Sequence, residues 1–89
     1  MASDISKENL IVCGNFISQA INDQAKILEK INLCEYSYSD VFDYECMDYF
    51  IAGMISSLNS LGLMYTFSYK NNQTYVDVMS KGKQVSQNE

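Results

Sequence analysis

Leu63-Met64-Tyr65-Thr66-Phe67-Ser68-Tyr69-Lys70-Asn71-Asn72-Gln73-Thr74-Tyr75-Val76-Asp77-Val78-Met79 is the stretch whose reading decides the fold. Its side chains alternate with a period of two and are rich in aromatic and β-branched types, which is strand patterning. Asn71-Asn72 interrupts the alternation, and asparagine tolerates positive φ better than other residues that carry a Cβ. A two-residue loop there pairs Lys70 with Gln73, Phe67 with Val76 and Tyr65 with Val78. That register puts Tyr65, Phe67, Val76 and Val78 on one face and Thr66, Ser68, Tyr75 and Asp77 on the other. A slip of one residue would scramble both faces. The predicted element is a β-hairpin with Phe67 and Val76 as buried neighbours. Two strands are not stable alone in water, so helices must supply a second layer.

Upstream, Gly62 sits where a helix-ending glycine belongs. Before it Val41, Tyr44, Met47, Phe50/Ile51, Met54, Ile55, Leu58 and Leu61 recur at threes and fours. The spacing predicts a helix from Ser39 or Asp40 to Leu61, with Tyr44 as the place where it could break. Leu33 to Ser39 reads as a connector. A long first helix is predicted from Ser6 to Asn32, with Ser6 as N-cap and Glu8 favoured by the helix dipole. Its apolar stripe is Leu10, Cys13, Phe16/Ile17, Ala20/Ile21, Gln24, Ile27/Leu28 and Ile31. The opposite face carries Asn15, Asn22, Asp23, Lys26, Glu29 and Lys30, with Lys26 and Lys30 matched by Asp23 and Glu29. Gly14 weakens this helix by up to ~1 kcal/mol relative to alanine and marks a close approach by another element. The expected fold is α+β, one small domain over residues 1–89, with a polar tail from Ser80 to Glu89 that frays. The run Leu10-Ile11-Val12-Cys13 is wider than one core face requires. Leu10, Ile11, Val12, Phe16 and Ile17 are therefore the expected interface of a homodimer.

The composition bounds the function. In 89 residues, 47% are hydrophobic and 19% charged, with no proline and four glycines, which excludes a disordered or collagen-like chain. The longest apolar runs reach four residues, against the ~20 of a spanning helix. Met1-Ala2-Ser3-Asp4 lacks the basic and apolar regions of a signal peptide, so the expected location is cytoplasmic. Eleven acids face six lysines, with no arginine and no histidine, for a net charge of −5. Without histidine the chain lacks the commonest general base and transition-metal ligand. Cys13, Cys34 and Cys46 are odd in number and show no C-x-x-C spacing. They read as reduced thiols, Cys13 as a small buried hydrophobe. No catalytic, cofactor-binding or metal-ligating residue is assigned, and no enzyme activity or membrane partner is expected.

Residues 35–49 concentrate what remains. Glu35, Asp40, Asp43, Glu45 and Asp48 occur there with no basic residue, interleaved with Tyr36, Tyr38, Tyr44 and Tyr49. One reading is a solvated helix start with half the tyrosines in the core. The other is a partner-binding surface, carboxylates meeting lysines and arginines while tyrosines supply rigid contact area. Five acids in this span exceed what capping needs. Acids so spaced can imitate the phosphate run of a nucleic acid.

The segment Ile51 to Leu63, ending Leu58-Asn59-Ser60-Leu61-Gly62-Leu63, resembles the end of a winged-helix recognition helix. Met64 to Met79 then resembles the wing, with Lys70-Asn71-Asn72-Gln73 at its tip. The resemblance covers residues 40–79 and implies a transcription regulator. The matching helix departs from the family, offering Glu45, Asp48, Tyr49, Ser56, Ser57 and Asn59 where bases would be needed. DNA contacts would then fall to Lys70, Lys81 and Lys83 of two subunits. In size and charge the chain is also similar to small phage-encoded inhibitors of host defence, anti-CRISPR proteins among them. That likeness implies a host-cytoplasmic protein that blocks the basic, nucleic-acid-binding site of another protein. The leading expectation is such a non-enzymatic inhibitor. The alternatives are the winged-helix regulator and a structural or assembly subunit held by its first helix.

Overall fold

Ser6 starts the first helix as expected, its hydroxyl accepting the Asn9 amide at 3.1 Å. The computed structural model describes residues 6–80. Their order is α1 (Lys7–Asn32), α2 (Tyr38–Ser60), β1 (Leu63–Lys70) and β2 (Gln73–Ser80), the expected α+β layout. The polar tail, including Lys81 and Lys83, lies outside the described residues.

Both helix ends are closed by local chemistry. After α1 the Cys34 amide donates to Ile31 O at 3.0 Å and the Glu35 amide to Lys30 O at 2.9 Å. This paired closure needs a left-handed residue, and Cys34 supplies it at φ 59°. Helix α2 starts at Tyr38, ahead of the expected Ser39 or Asp40, because Ser37 and Asp40 form a capping box. Ser37 Oγ accepts the Asp40 amide at 3.3 Å, and the Ser37 amide donates to Asp40 Oδ2 at 2.9 Å. The helix continues unbroken through Tyr44. At its end Gly62, at φ 74°, donates to Asn59 O at 3.1 Å.

The hairpin has the expected register, Lys70 opposite Gln73 and Phe67 opposite Val76. Asn71 and Asn72 both take positive φ, 55° and 63°, the primed turn that suits twisted strands. Strand β2 runs to Ser80, one residue past the expected Met79.

Helix α1 lies antiparallel to β2 and along its outer edge. The Asn22 amide donates to Thr74 O at 3.0 Å and accepts the Thr74 N–H at 2.8 Å. Ser18 Oγ accepts the Val76 N–H at 2.9 Å and donates to Gly14 O at 2.7 Å. Gly14 itself meets the Val76 carbonyl so closely that a Cβ would collide with it. Four helical residues rise ~6 Å and two strand residues ~6.6 Å, so the Gly14-Ser18-Asn22 stripe stays in step with alternate residues of β2. The close approach expected at Gly14 is thereby identified.

The core is Ile17, Leu58 and Val76, flanked by Cys13, Ile21, Met54, Leu63, Tyr65 and Val78; Leu10 is buried too. Three expectations need correcting. Phe67 is 52% exposed and touches Tyr65 edge-on, its ring centroid 5.8 Å away, rather than lying buried beside Val76. Because α1 sits at the β2 edge, the helical layer does not reach across the far half of β1. Leu10 and Ile17 are spent in the chain's own core, so of the expected dimer face only Ile11, Val12 and Phe16 remain exposed. Lys30 is bridged to Asp40 at 3.1 Å, since adjacent helical residues such as Glu29 and Lys30 do not face one another. Asp23 accepts from Gln19 at 2.9 Å. Among the described residues, no helix is long and apolar enough to cross a membrane.

Candidate protein-binding surface

Helix α2 is apolar on two sides, and this sorts the acid and tyrosine residues of segment 35–49. Asp40, Tyr44 and Asp48 recur every four residues on the side that meets α1. Asp40 accepts from Lys30, while Gln24 donates to Asp48 Oδ1 at 3.0 Å and to the Tyr44 carbonyl at 3.2 Å. The Ser37 amide, and then the Lys30 ammonium, hold the Asp40 carboxyl below the usual aspartate range. These three residues tie α2 to α1 and do not form an open face.

Tyr38, Phe42, Glu45 and Tyr49 follow at intervals of four, three and four, which places them on the opposite side of α2. Tyr38 is 93% exposed, Tyr49 80% and Phe42 66%. Tyr38, Val41, Phe42 and Glu45 line a shallow recess of about 230 Å³. Glu35 and Tyr36 lie exposed in the connector just before it, and Asp43 is exposed on the flank. The structure thus brings Tyr38, Glu45 and Tyr49 together, with Glu35, Tyr36 and Asp43 at the margin. No hydrogen bond joins the Glu35, Asp43 or Glu45 carboxylates to other described residues.

Sequence reasoning misses Phe42. Its spacing from Tyr38, Glu45 and Tyr49 could have found it, but the competing stripe through Val41, Tyr44 and Met47 defines the more obvious helix face. Phe50 and Leu61, which fall on that stripe, are exposed at its edge.

The remaining candidates are dispersed. Val12 and Phe16 line a recess of about 250 Å³ with Asn15 and Gln19, whereas Ile11 points elsewhere around α1. Lys70 is exposed beside the hairpin turn. Cys34 and Cys46 are exposed thiols; Cys13 is half-buried, and burial pushes its thiol pKa up. Among the described residues, no three Cys, Asp or Glu side chains converge as a metal site. Comparison with protein-family models, curated proteins and solved structures found no match.

Proposed function

We propose that the chain is a non-enzymatic inhibitor that covers a basic, nucleic-acid-binding site on another protein with the outer face of α2. The observation that carries this reading is the Tyr38–Phe42–Glu45 recess, an aromatic slot with one carboxylate in its wall, next to the exposed Tyr49. A lysine or arginine entering it would lay its stem on the rings and its charge near both a π face and Glu45. Aromatic residues at the centre with acids at the margin match the anatomy of a protein interface. The net charge of −5 steers a basic partner towards the chain and repels nucleic acid, with which it would compete.

Capture from a host lysate at low salt and at ~0.5 M salt tests this, because marginal charge pairs are screened at the higher value. The expected result is retention of a nucleic-acid-binding protein that added DNA or RNA displaces. Phe42→Ala with Glu45→Lys should abolish retention while leaving the helical signal intact. Equal retention by that folded double variant would overturn the assignment of the surface.

A further inference from the structure

The two edges of the hairpin are treated differently. In an antiparallel ladder the backbone groups of alternate residues point out of the hairpin, and opposite residues share the same state. Thr74 and Val76 point outward from β2, since their amides bond to Asn22 and Ser18 of α1. Their register partners, Tyr69 and Phe67, must therefore point outward from β1. No described residue meets those groups. From Thr66 to Lys70 every side chain is exposed, Phe67 by 52% and Tyr69 by 70%.

Natural sheets usually blunt such an edge with an inward charge, a proline, a bulge or a very short strand. Strand β1 has none of these between Leu63 and Tyr69: its eight residues pair without interruption, and its lone charge is the terminal Lys70.

We propose that β1 pairs antiparallel with β1 of a second copy, joining two hairpins into a four-stranded sheet. The strand is its own complement. With Phe67 opposite its counterpart, Tyr65 meets the second copy's Tyr69, and the outward groups of all three fall in step. Aromatic cross-strand pairs of this kind favour a sheet. Charge permits the contact as well, since residues 63–70 hold no acid in a chain of net charge −5. The sealed β2 edge makes the assembly finite. With α1 occupying Thr74 and Val76, pairing stops at two chains and closes about a two-fold axis. A second copy also presents an already ordered strand, so less ordering entropy opposes it than opposes a flexible peptide. The interface is separate from the outer face of α2 and stands whether or not that face binds a basic partner.

Sedimentation at ~100 μM should give twice the 10.1 kDa chain mass. Hydrogen exchange at the Phe67 and Tyr69 amides should slow by about tenfold or more between ~1 and ~100 μM, although neither has a partner among the described residues. Phe67→Pro removes an outward N–H that β2 does not use, and proline is tolerated at such edge positions. Phe67→Lys places a charge on the edge without disturbing a buried side chain. Both variants should be folded and monomeric; if the proline variant does not fold, Phe67→Lys and the exchange data decide. A wild type that is monomeric at ~100 μM would overturn the proposal. So would dimers that survive folded Phe67→Lys, or growth into larger assemblies. A dimer abolished instead by Val12→Asp would overturn it too, placing the interface on α1.

Discussion

Gly14 and Cys34 are mismatched in opposite senses, and each makes a prediction that helix propensity alone would get wrong. Alanine is the better helix former, yet at position 14 its Cβ would enter the space of the Val76 carbonyl, a backbone atom that cannot swing away. Gly14→Ala should destabilise by about 1–3 kcal/mol, the range of overpacked cores, where propensity alone would stabilise by ~1 kcal/mol. Urea unfolding reads the sign directly. At Cys34 the exposed side chain makes no hydrogen bond to a described residue, while the backbone holds the left-handed φ that glycine accepts without strain. Cys34→Gly should therefore stabilise by about 1 kcal/mol, seen as a higher melting temperature. A third effect belongs to Asp40. Its carboxyl titrates below the ordinary aspartate range, because the Ser37 amide and then Lys30 favour its charged form. That contribution is complete above the unfolded-state pKa near ~3.9 and is lost as pH falls through the lower folded-state value. Asp40→Asn should flatten this part of the acid limb in a stability-against-pH curve. It should leave the neutral-to-alkaline limb unchanged.

The hairpin is legible in the sequence because everything that defines it is local: a period of two, paired asparagines and one register that groups the apolar residues. Helix ends are legible for the same reason, although two serines near the start of α2, Ser37 and Ser39, compete as caps and only the capping box singles out Ser37. The contact between α1 and the hairpin is legible only at Gly14, as a close approach by an element the sequence does not identify. It is made by a glycine, a serine and an asparagine, and the pattern puts Asn22 on the solvent side because polar residues usually lie there. Sealing a strand edge requires polar side chains, so the rule that finds a core misses this contact. The face of α2 is ambiguous for a different physical reason. Apolar residues at threes and fours run down both of its sides, and only the position of α1 tells Tyr44 from Tyr49. The edge seal can be tested at Asn22. Asn22→Asp keeps the size and the acceptor for the Thr74 amide, but turns a carboxylate oxygen towards the Thr74 carbonyl. The substitution should cost about 1–3 kcal/mol, the penalty for leaving a half-buried polar group without its partner. It should also raise hydrogen exchange at Val76 and Thr74, whereas a neutral result would mean that the edge is held by apolar packing alone.

At the scale of the molecule, four apolar side chains among the described residues are buried, Ile17 alone completely, while large apolar ones stand exposed on α1, α2 and β1. The proposed second copy at the strand edge and the proposed basic protein at α2 would each cover part of this exposed apolar surface. The electrostatics then separate protein binding from nucleic-acid binding. Non-specific affinity for a duplex comes from lysines and arginines that displace counterions from phosphate, so it falls with every cation that is missing or already paired. The described residues offer Lys7, Lys26, Lys30 and Lys70, of which Lys30 is held by Asp40, and no arginine. A duplex carries one charge per ~1.7 Å and would meet a body of the same sign. The isolated protein should therefore give no gel shift with duplex DNA at ~10 μM protein and ~0.15 M salt, the range where non-specific binders respond. Lowering the salt to ~0.05 M should not rescue binding, because weaker screening strengthens the repulsion of a net charge of −5 along with any attraction to a lysine. A shift that appears at the lower salt and disappears on Lys70→Ala would show that the hairpin turn touches phosphate. It would reverse the order of the two readings, making the strand-edge dimer the frame of a DNA-binding protein.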